Sequence, residues 1–502
     1  MTSSPKPLPQ GWISVSFDEI GLINPKSIER ELTDDDEITF VPMRCVYEMG
    51  SGMNVLNVKK FSEVRKGYTP FIDGDLLVAK ITPCMENGKV VVAEKLKNGV
   101  GFGSTEFHTI RFQKEIEKKL YYFYFLRADI RKDAQRHMTG TAGQLRVPST
   151  FIQNLKVPLP PLPEQHRIVT KIEELLTQLD AGVGSLRKVR AQLKRYRQAV
   201  LKAAFEGSLT QEWREEHKGE IKPIVLSKNK KEQISIDEKV QTKSVPLAPI
   251  EENEKENIPE QWSISRIGDA VRIIDYRGRT PPYSATGIPH LRSQNIKKGK
   301  IVWQNLAFVS DDTYNQYMTR GLPIRGDILF TTEAPLGEVA LAPEQKFSIA
   351  QRIMLLRPFE NVLVPKFLMY QIKSDFFQNQ LTRKGTGTTV TGVSSRNFQP
   401  IIVKIPSLLE QNRIVDEIER IFSIADEIEQ TVTTSLRQAD SLRQSILKQA
   451  FEGKLVLQDP NDEPASILLE RIKAEKARHA AVTKKGKTLQ PRSPKRKIKN
   501  AN

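Results

Sequence analysis

The 502-residue sequence predicts an α+β protein: two globular α/β domains separated by two long antiparallel coiled-coil helices and related by an internal pseudo-twofold repeat. Two observations support this fold class. The stretch from Pro160 to Leu209 returns without a gap from Pro406 to Leu455, so that Glu164 aligns with Glu410. Each copy also carries a coiled-coil pattern of apolar residues. A repeat with so long a period determines the architecture and is therefore identified first.

Each copy of the repeated stretch predicts one long helix. Apolar or small residues alternate at spacings of four and three, which is the a/d pattern of a coiled coil. We call these rows the seams, and each is about 50 Å long. Gly207 and Gly453 follow the seams at positions where a left-handed residue ends a helix. The first seam consists of Ile168, Ile172, Leu175, Leu179, Gly182, Leu186, Val189, Leu193, Tyr196, Val200 and Ala203, and the second of Ile414, Ile418, Ile421, Ala425, Ile428, Val432, Ser435, Ala439, Leu442 and Ile446.

A seam of this length cannot face water, so each helix needs a partner. The two related helices of one chain are the simplest partners, and a pseudo-twofold axis between the repeats would make them antiparallel. Two alternatives are dimerisation with a second chain and packing of each helix on its own domain.

The rest of the chain divides around these helices. Both globular domains contain a Gly-Asp turn before an apolar strand and a Gly/Thr-rich loop, Thr139–Val147 or Lys384–Arg396, before the long helix. The segment between the repeats is rich in Lys and Glu, and it has too few large apolar residues to order itself. The predicted segments are a first globular domain (1–150), a central region with the first helix (151–210), a polar linker (211–257), a second globular domain (258–400), a distal region with the second helix (401–480) and a basic disordered tail (481–502).

The net charge of +17 favours a polyanionic partner. No apolar run approaches the roughly 18 residues of a membrane helix, and the N-terminus has no secretory pattern, so no membrane partner is expected. Two cysteines without a C-x-x-C spacing predict a reducing, cytoplasmic location. Six scattered histidines predict no metal site.

Catalytic motifs are not evident, and we predict no catalytic residue. There is no GxxxxGK[ST] phosphate loop. The segment Arg279–Tyr283 reads RTPPY, which is similar to the Asn/Asp-Pro-Pro-Tyr motif of amino-methyltransferases, but Thr280 supplies only a hydroxyl in place of the amide or carboxylate oxygen. We interpret the two prolines as a rigid turn.

Basic, hydrogen-bonding loops are the stronger signal. Arg and Lys suit guanine edges and phosphates, Asn and Gln suit adenine, and Glu accepts from cytosine. Any single such residue is more often a solvated surface residue, so the prediction rests on the clusters. The candidate DNA-binding residues are Arg65, Lys66, Tyr68, Lys80, Glu86, Asn87, Lys89, Gln144 and Arg146 in the first domain, and Arg277, Arg279, Tyr283, Arg292, Gln294, Asn295, Lys297, Arg383, Lys384, Thr386 and Arg396 in the second.

The layout and its motifs resemble the specificity subunits of type I restriction–modification systems. The duplicated helices, each opening with EQ-x-RIV and closing with AFEG-x-L, are similar to the two conserved regions of that family. The stretches Glu86–Lys89 (ENGK) and Gly101–Phe107 (GFGSTEF) resemble one version of its first target-recognition domain. The stretch Ala465–Ala477 (ASILLERIKAEKA) resembles enterobacterial-type members.

The resemblance implies a subunit without catalysis of its own. Each globular domain would be a target-recognition domain that reads one half of a bipartite, asymmetric site in double-stranded DNA, and the helices would set the spacing. Two methylation subunits would dock on the helices and restriction subunits would join them. S-adenosylmethionine, ATP and magnesium would belong to those partners, so no cofactor is expected in this chain. The alternatives are a stand-alone DNA adenine methyltransferase and a non-specific basic nucleic-acid-binding coiled-coil protein.

Overall fold

The computed structural model describes residues 7–224 apart from 27 and 29, and residues 247–251, 258–386 and 391–488. Its contacts form two compact units. The first unit comprises Met1–Leu186 with Thr434–Asn502, and the second comprises Arg187–Thr433. The division falls inside the two long helices, so each unit contains a half of both.

The described strands of the first unit form one two-stranded and two four-stranded sheets. One four-stranded sheet is antiparallel throughout and has the order Gly21–Ile23, Phe107–Phe112, Leu76–Ala79, Val90–Val92. The other contains one parallel pair at its centre and has the order Val58–Lys60, Glu37–Val41, Val100–Gly103, Thr69–Ile72. The two-stranded sheet pairs Ile13–Ser16 with Lys156–Leu159.

An aromatic helix fills the core of the first unit. Lys118–Phe125 reads KKLYYFYF, and the Glu117 side chain caps it by accepting from the Lys119 N–H at 3.0 Å. The ring of Phe17 packs between this helix and the sheet, with centroids 5.4 Å from Tyr121 and 5.3 Å from Phe125. The other helices before the long helix are Phe17–Ile20, Phe61–Val64, Ala128–Arg136 and Ser149–Asn154.

The second unit repeats this plan with changes at its edges. Its antiparallel four-stranded sheet has the order Val271–Asp275, Ile353–Pro358, Ile328–Thr331, Val339–Leu341. A second sheet has the order Ala307–Val309, Ile288–Leu291, Ser348–Ile349, again with a parallel pair. The pairs Ile296–Lys297 with Lys300–Ile301 and Ser263–Arg266 with Ile402–Ile405 complete its described strands.

Serine caps start three helices of the second unit. Ser310, Ser374 and Ser394 each accept a backbone N–H with their hydroxyl oxygen, which satisfies one of the orphan donors at a helix start. The described short helices of this unit are Gln211–Glu216, Ile267–Ala270, Asp311–Tyr317, Pro365–Lys373, Asp375–Lys384 and Ser395–Phe398.

The two long helices are present as predicted. The central helix is Leu162–Glu206 and the distal helix is Leu408–Phe451, with 45 and 44 residues. Gly207 and Gly453 follow their ends at φ values of +81° and +66°, which confirms the predicted left-handed stops. A Cβ on Gly207 would lie 2.3 Å from Cγ of Pro259, and one on Gly453 would lie 2.2 Å from Cγ of Pro9. Both positions therefore require glycine.

The helices run antiparallel within the second unit. Phe205 at the end of the central helix shares a core with Ile414 near the start of the distal helix. Farther from that end, Arg197 donates to Asp426 at 2.6 Å and to Glu429 at 2.7 Å. Earlier residues of the central helix therefore lie beside later residues of the distal helix, so the two helices are antiparallel here.

The first unit shows the same direction of pairing. Ile168 near the start of the central helix packs in one core with Leu447 and Phe451 near the end of the distal helix. Farther along, Asp180 pairs with Arg443. The antiparallel prediction is confirmed in both units, and it replaces the alternative in which each helix packs only on its own domain.

The predicted seams are wrong at four positions, one of which is the exposed Gly182. Tyr196, Ile428 and Leu442 are exposed by 51%, 41% and 51%. A straight helix has 3.6 residues per turn and drifts away from a strict 3.5-residue repeat, so the buried row moves along the surface. Leu176 is accordingly buried one residue beyond the predicted Leu175.

Strands and a short helix lie across or just beyond three of the predicted segment boundaries. Strands Lys156–Leu159 and Ile402–Ile405 pair with the first strands of their units, so the globular folds extend beyond residues 150 and 400. The predicted linker is ordered at its start, because Gln211–Glu216 is a helix whose Arg214 is buried against Glu410. The rest of that segment lies outside the described residues, except 217–224 and 247–251.

The C-terminal helix, Ala465–Thr488, packs on the first unit through Ala465, Leu468 and Ile472. Its last eight residues fall within the predicted tail of residues 481–502, whose remainder lies outside the described residues, and disorder of that tail stays a prediction. No helix among the described residues is long and apolar enough to cross a membrane.

Candidate nucleic-acid interface

In the first unit, a Gly/Thr hairpin is seated on the loop that follows strand Leu76–Ala79. We call residues 80–89 the first proline loop and residues 139–147 the first hairpin. Thr139 and Arg146 exchange backbone hydrogen bonds of 2.9 Å, and the N–H of Val147 donates to the carbonyl of Lys80 at 2.9 Å. Gly140 has a φ of +126°, and a Cβ there would lie 2.9 Å from the Gln144 carbonyl oxygen, so the turn requires glycine.

The second unit builds the same junction from different residues. Its proline loop is residues 332–338, and its hairpin is residues 385–393, of which 387–390 lie outside the described residues. Thr386 and Gly392 exchange backbone hydrogen bonds of 2.9 and 3.0 Å. The N–H of Val393 donates to the carbonyl of Thr332 at 3.0 Å. Thr332 thus corresponds to Lys80, and Gly392 corresponds to Arg146.

In each unit a short turn is also hydrogen-bonded to the proline loop. In the first unit the Lys89 ammonium donates to the carbonyl of Met43 at 3.3 Å, which ties the turn Met43–Cys45 to the proline loop. In the second unit the Ser293 hydroxyl donates to the carbonyl of Ala334 at 3.0 Å and ties the turn Ser293–Asn295 in the same way. The proline loop, hairpin and turn of each unit together form what we call its loop cluster.

In the first loop cluster, the side chain of Arg146 is held by four hydrogen bonds. Its Nε donates to both carboxylate oxygens of Glu106 at 3.1 and 2.9 Å, and its Nη2 donates to Oε1 at 2.8 Å. Its Nη1 donates to the carbonyl of Gln144 at 2.8 Å. These bonds lower the pKa of Glu106, so the carboxylate stays ionised at neutral pH.

The remaining candidates of the first proline loop mostly hold the loop itself. Glu86 accepts from the Thr82 hydroxyl at 2.6 Å, and its buried Oε2 has no hydrogen-bond partner among the described residues. The amide of Asn87 donates to Glu48 at 2.8 Å. Lys80 is half-buried, whereas Gln144 is exposed on the hairpin. Four predicted residues (Lys80, Glu86, Asn87, Lys89) thus lie in one loop, in which Lys80 contacts the hairpin and Lys89 contacts the Met43 turn.

A second group of candidates in the first unit lies beside its other sheet. Arg65, Lys66 and Tyr68 are exposed and follow helix Phe61–Val64. Arg65 pairs with Asp34 at 2.8 Å, and the Tyr68 ring packs edge-on against Phe40 with centroids 4.9 Å apart. These contacts are with the Asp34 loop and the strand Glu37–Val41.

In the second unit, Arg277 joins the hairpin by donating from Nη2 to the carbonyl of Val393 at 2.5 Å. Arg279 donates to the Thr319 hydroxyl at 3.2 Å. Tyr283 is exposed, and its ring centroid lies 5.4 Å from that of His290. The structure thus brings Arg277 to the loop cluster.

The candidates in and beside the turn of the second unit differ in their exposure to solvent. Gln294 and Lys297 are exposed, and Arg292 donates to the carbonyl of Asn305 at 3.1 Å. Asn295 is only 2% exposed. Its amide donates to the carbonyls of Val302 and Gln304, and its oxygen accepts from the Arg292 N–H. Because the groups of Asn295 are occupied inside the fold, we remove it from the candidates.

The last candidates surround the second hairpin. Arg383 and Lys384 end the helix Asp375–Lys384, Thr386 lies in the hairpin, and Arg396 lies in the short helix Ser395–Phe398 just beyond it. All four are exposed. The two ends of the hairpin are therefore flanked by positive charge.

Sequence reasoning missed four residues in or beside the loop clusters: Arg44, Glu106, Glu333 and Arg352. The N–H of Thr332 donates to the carbonyl of Arg352 at 3.0 Å, as that of Lys80 donates to Glu106 at 2.9 Å, so Arg352 corresponds to Glu106. Nε of Arg352 lies 2.6 Å from Oε1 of Glu333. Exposed Arg44 occupies the place of Gln294 in the first turn. Alignment of the two domains at these strands was the signal that could have identified them.

The buried histidines have core positions. His108 contacts the Val147 carbonyl through Nε2 at 2.8 Å, and burial lowers its pKa. Burial lowers the pKa of His290 to about 4, and its Nδ1 lies 2.7 Å from the Ser348 hydroxyl. No group of three or more His, Cys, Asp or Glu residues in the described part of the chain could hold a metal ion. Both cysteines, Cys45 and Cys84, are free thiols.

Comparison with known families decides the identity of this architecture. The profile of the type I restriction modification DNA specificity domain matches residues 9–195 and 259–438, which is more than half of the chain. The chain belongs to the type I restriction–modification specificity family. The two matched segments each contain one loop cluster and the start of one long helix.

Individual specificity proteins agree with this membership. The chain is 28% identical to the EcoAI specificity subunit of Escherichia coli over 494 residues, covering 87% of this chain and 82% of that protein. It is 31% identical to the EcoBI specificity subunit of Escherichia coli over 342 residues, covering 66% of each. DNA sequence specificity within this family is favoured over a stand-alone methyltransferase or a non-specific coiled-coil protein.

Solved structures share the fold of this specificity protein. One is a chain from a study of complex assembly and conformational transition of the type I R-M system, with a TM-score of 0.62 and 20% identity. The other is the HsdS subunit from Thermoanaerobacter tengcongensis, with a TM-score of 0.50 and 20% identity. Each comparison covers 90% of this chain and 100% of the other.

Proposed function

We propose that this chain is the non-catalytic specificity subunit of a type I restriction–modification complex, and that each unit reads one half of a bipartite, asymmetric site in double-stranded DNA. The observation that carries the proposal is the duplicated loop cluster. The same backbone hydrogen bonds hold the hairpin on the proline loop in both units, but Lys80, Glu106 and Arg146 are replaced by Thr332, Arg352 and Gly392.

Two copies of one scaffold with different side chains suit the reading of two different half-sites. Base edges are distinguished by the donors and acceptors that a loop presents, whereas phosphate contacts only position the protein. The exposed cations around the second hairpin and the net charge of +17 supply attraction to the phosphates. An asymmetric site follows because the two loop clusters differ.

The long helices are the connection between the two readers in this proposal. A continuous helix is a stiff spacer of about 1.5 Å per residue, so 45 residues fix a distance more firmly than a flexible linker does. Two methylation subunits would dock on the helices and restriction subunits would join them. S-adenosylmethionine, ATP and magnesium would be bound by those partners in the cytoplasm.

The test is methylation of a random DNA library. The purified chain is combined with the methylation subunit of its system, and methylated adenines are mapped by sequencing. We expect one split motif with a fixed gap and two different halves. The chain alone should transfer no labelled methyl group from S-adenosylmethionine.

Two results would contradict the proposal. Methyl transfer by the chain alone would make it a stand-alone methyltransferase. Methylation without a bipartite motif, or DNA binding that is indifferent to sequence in the presence of the methylation subunit, would make it a non-specific binder.

A further inference from the structure

The guanidinium of Arg146 is fixed along one edge and left available along another. The Glu106 carboxylate accepts hydrogen bonds from Nε and Nη2 along one side of the guanidinium, at distances between 2.8 and 3.1 Å. The Gln144 carbonyl takes one N–H of Nη1. A guanidinium has five N–H donors, and three of them are engaged here. One N–H on Nη1 and one on Nη2 then have no partner among the described residues. When the Nη1 hydrogen on the Cδ side is the one donated to Gln144, these two form a parallel pair at the end of the planar guanidinium.

This remaining pair of donors reaches the surface. The Arg146 side chain is 38% exposed, and its backbone is clamped by the two hydrogen bonds to Thr139. Glu106 is fixed as well, because its N–H donates to the Ser104 hydroxyl at 3.2 Å and its carbonyl accepts from Lys80 at 2.9 Å. The arginine is therefore ordered before any ligand arrives, which reduces the entropy lost on binding.

Two parallel N–H donors at a fixed separation suit a ligand with two neighbouring acceptors. In the major groove of DNA, guanine presents O6 and N7 in this arrangement, and an adenine or a cytosine does not. A phosphate also offers two acceptor oxygens. The carboxylate of Glu106 would repel a phosphate that approached the same guanidinium, whereas guanine carries no net charge. The geometry and the adjacent carboxylate together favour the base.

We propose that Arg146, held in place by Glu106, recognises a guanine in the half-site of the first unit through O6 and N7. Arg146 is the specificity-determining residue and Glu106 is its positioning residue. The proposal rests on the proposed function and deepens it by naming one base. The corresponding residue of the second unit is Gly392, so this contact belongs to one half-site only.

The test uses the complete complex with its methylation subunit. Once the bipartite motif is known, DNA binding is measured by competition on duplexes that vary every base of both half-sites. The variants are Arg146→Ala, Arg146→Lys and Glu106→Gln. The matched control is Arg471→Ala, because Arg471 is also an exposed arginine of the first unit whose Nε donates to a glutamate, Glu115, at 2.8 Å.

Arg146→Ala should lose the preference for guanine at one position of one half-site by about 5- to 150-fold, the range of one bidentate contact. Arg146→Lys should lose it too, because a lysine keeps the charge without the fork. Glu106→Gln should show a smaller loss at the same position. Replacing that guanine by 7-deazaguanine, which lacks N7, should weaken binding of the wild type but not of Arg146→Ala. Arg471→Ala should keep the full preference.

Three outcomes would overturn the inference. Unchanged preference in both Arg146 variants would remove the residue from base recognition. Equal weakening on all sequences with a shallower salt dependence would make it a phosphate contact. A wild-type complex without any bipartite motif would overturn the proposed function together with this inference, whereas the first two outcomes would leave that function intact.

Discussion

The buried guanidinium of Arg214 donates its Nε–H to Oε1 of Glu410 at 2.8 Å, whereas the corresponding Oε1 of Glu164 has no hydrogen-bond partner among the described residues. In both units the other oxygen of the glutamate accepts from a tryptophan, Trp262 at 2.9 Å or Trp12 at 2.8 Å. The two repeats thus share a buried Trp–Glu contact at the start of each long helix, and among the described residues an arginine hydrogen-bonded to this glutamate is found in the second unit, not in the first.

Replacing Arg214 by Ala should destabilise the second unit strongly. Arg214 and Glu410 have side chains that are 7% and 0% exposed, and removal of one partner leaves a buried charge uncompensated. Such changes cost about 3–5 kcal/mol. The free energy of unfolding is measured in urea. The control is Arg325→Ala, whose pairing with Glu344 is exposed and is expected to contribute less than about 1 kcal/mol.

Neutralising the two repeated glutamates should have unequal effects on stability. Glu410→Gln loses the charge that Arg214 requires and should be destabilised by about 3 kcal/mol. Glu164→Gln keeps an acceptor for Trp12 and should remain within about 1 kcal/mol of the wild type. Equal destabilisation of both variants would show that the charge of Glu164 is compensated in the protein.

The pH dependence of Glu164→Gln provides a second measurement. Burial raises the pKa of Glu164, so the folded state binds the proton more tightly than the unfolded state does. The contribution of this group is therefore most favourable at pH values below its unfolded pKa and declines as the pH rises through the folded pKa. The wild type should therefore lose stability relative to Glu164→Gln as the pH is raised from about 4 to 7.

Acid should destabilise the second unit through His290. Burial lowers the pKa of His290 to about 4, with the positive charge of Arg292 as the second cause. The neutral ring stabilises the fold above the unfolded pKa of about 6.5, and this contribution is lost as the pH falls towards 4. The difference in unfolding free energy between wild type and His290→Gln should change by about 2–3 kcal/mol between pH 7 and pH 4. The control variant is His137→Gln, at a largely exposed histidine.

Lengthening both long helices should lengthen the gap between half-sites. Four residues inserted after Gly184 and four after Thr434 add about one turn, or roughly 6 Å, to each helix. A Cβ on Gly184 would have open space around it, so the first insertion meets no packed neighbour. The methylated motif should keep both halves and gain about two base pairs of spacing at about 3.4 Å each. A motif with its original gap would mean that the helices do not set the spacing.

Insertion of two residues at the same two places is the control for register. Two residues turn each helix by about 200°, which moves its apolar row away from the partner. This variant should fail to assemble or unfold at a lower temperature. If it assembled and kept the lengthened gap, the antiparallel packing seen in each unit would not be needed for function.

The repeat and the helix ends could be predicted because local chemistry determines them. Gly207 and Gly453 end their helices as the sequence indicates, since a left-handed residue is needed at each stop. Exposure along the helices could not be read from spacing alone. Tyr196 has the right spacing and is half-exposed, because the buried row drifts on a straight helix.

The first proline loop, both hairpins and the turn Ser293–Asn295 were predicted as regions, whereas the second proline loop and the turn Met43–Cys45 were not. Asn295 was a reasonable base-reading residue by type, but contacts with Val302 and Gln304 place it inside the fold. Arg352 and Glu333 are far apart in sequence from the hairpin and lie near it only because strands Ile328–Thr331 and Ile353–Pro358 pair. Which side chain a strand brings to a loop depends on register, and single-sequence patterns do not specify register across long separations.

The hydrogen bonds that seat each hairpin on its proline loop join backbone atoms, and this has an evolutionary consequence. At the place of Arg146 the second unit has Gly392, and at the place of Glu106 it has Arg352, yet the seating bonds keep lengths of 2.9–3.0 Å. The amino acids at these sites can therefore be exchanged with little effect on folding. Substitutions at these sites can then alter one half of the target at a time, while the backbone frame that displays the side chains stays the same.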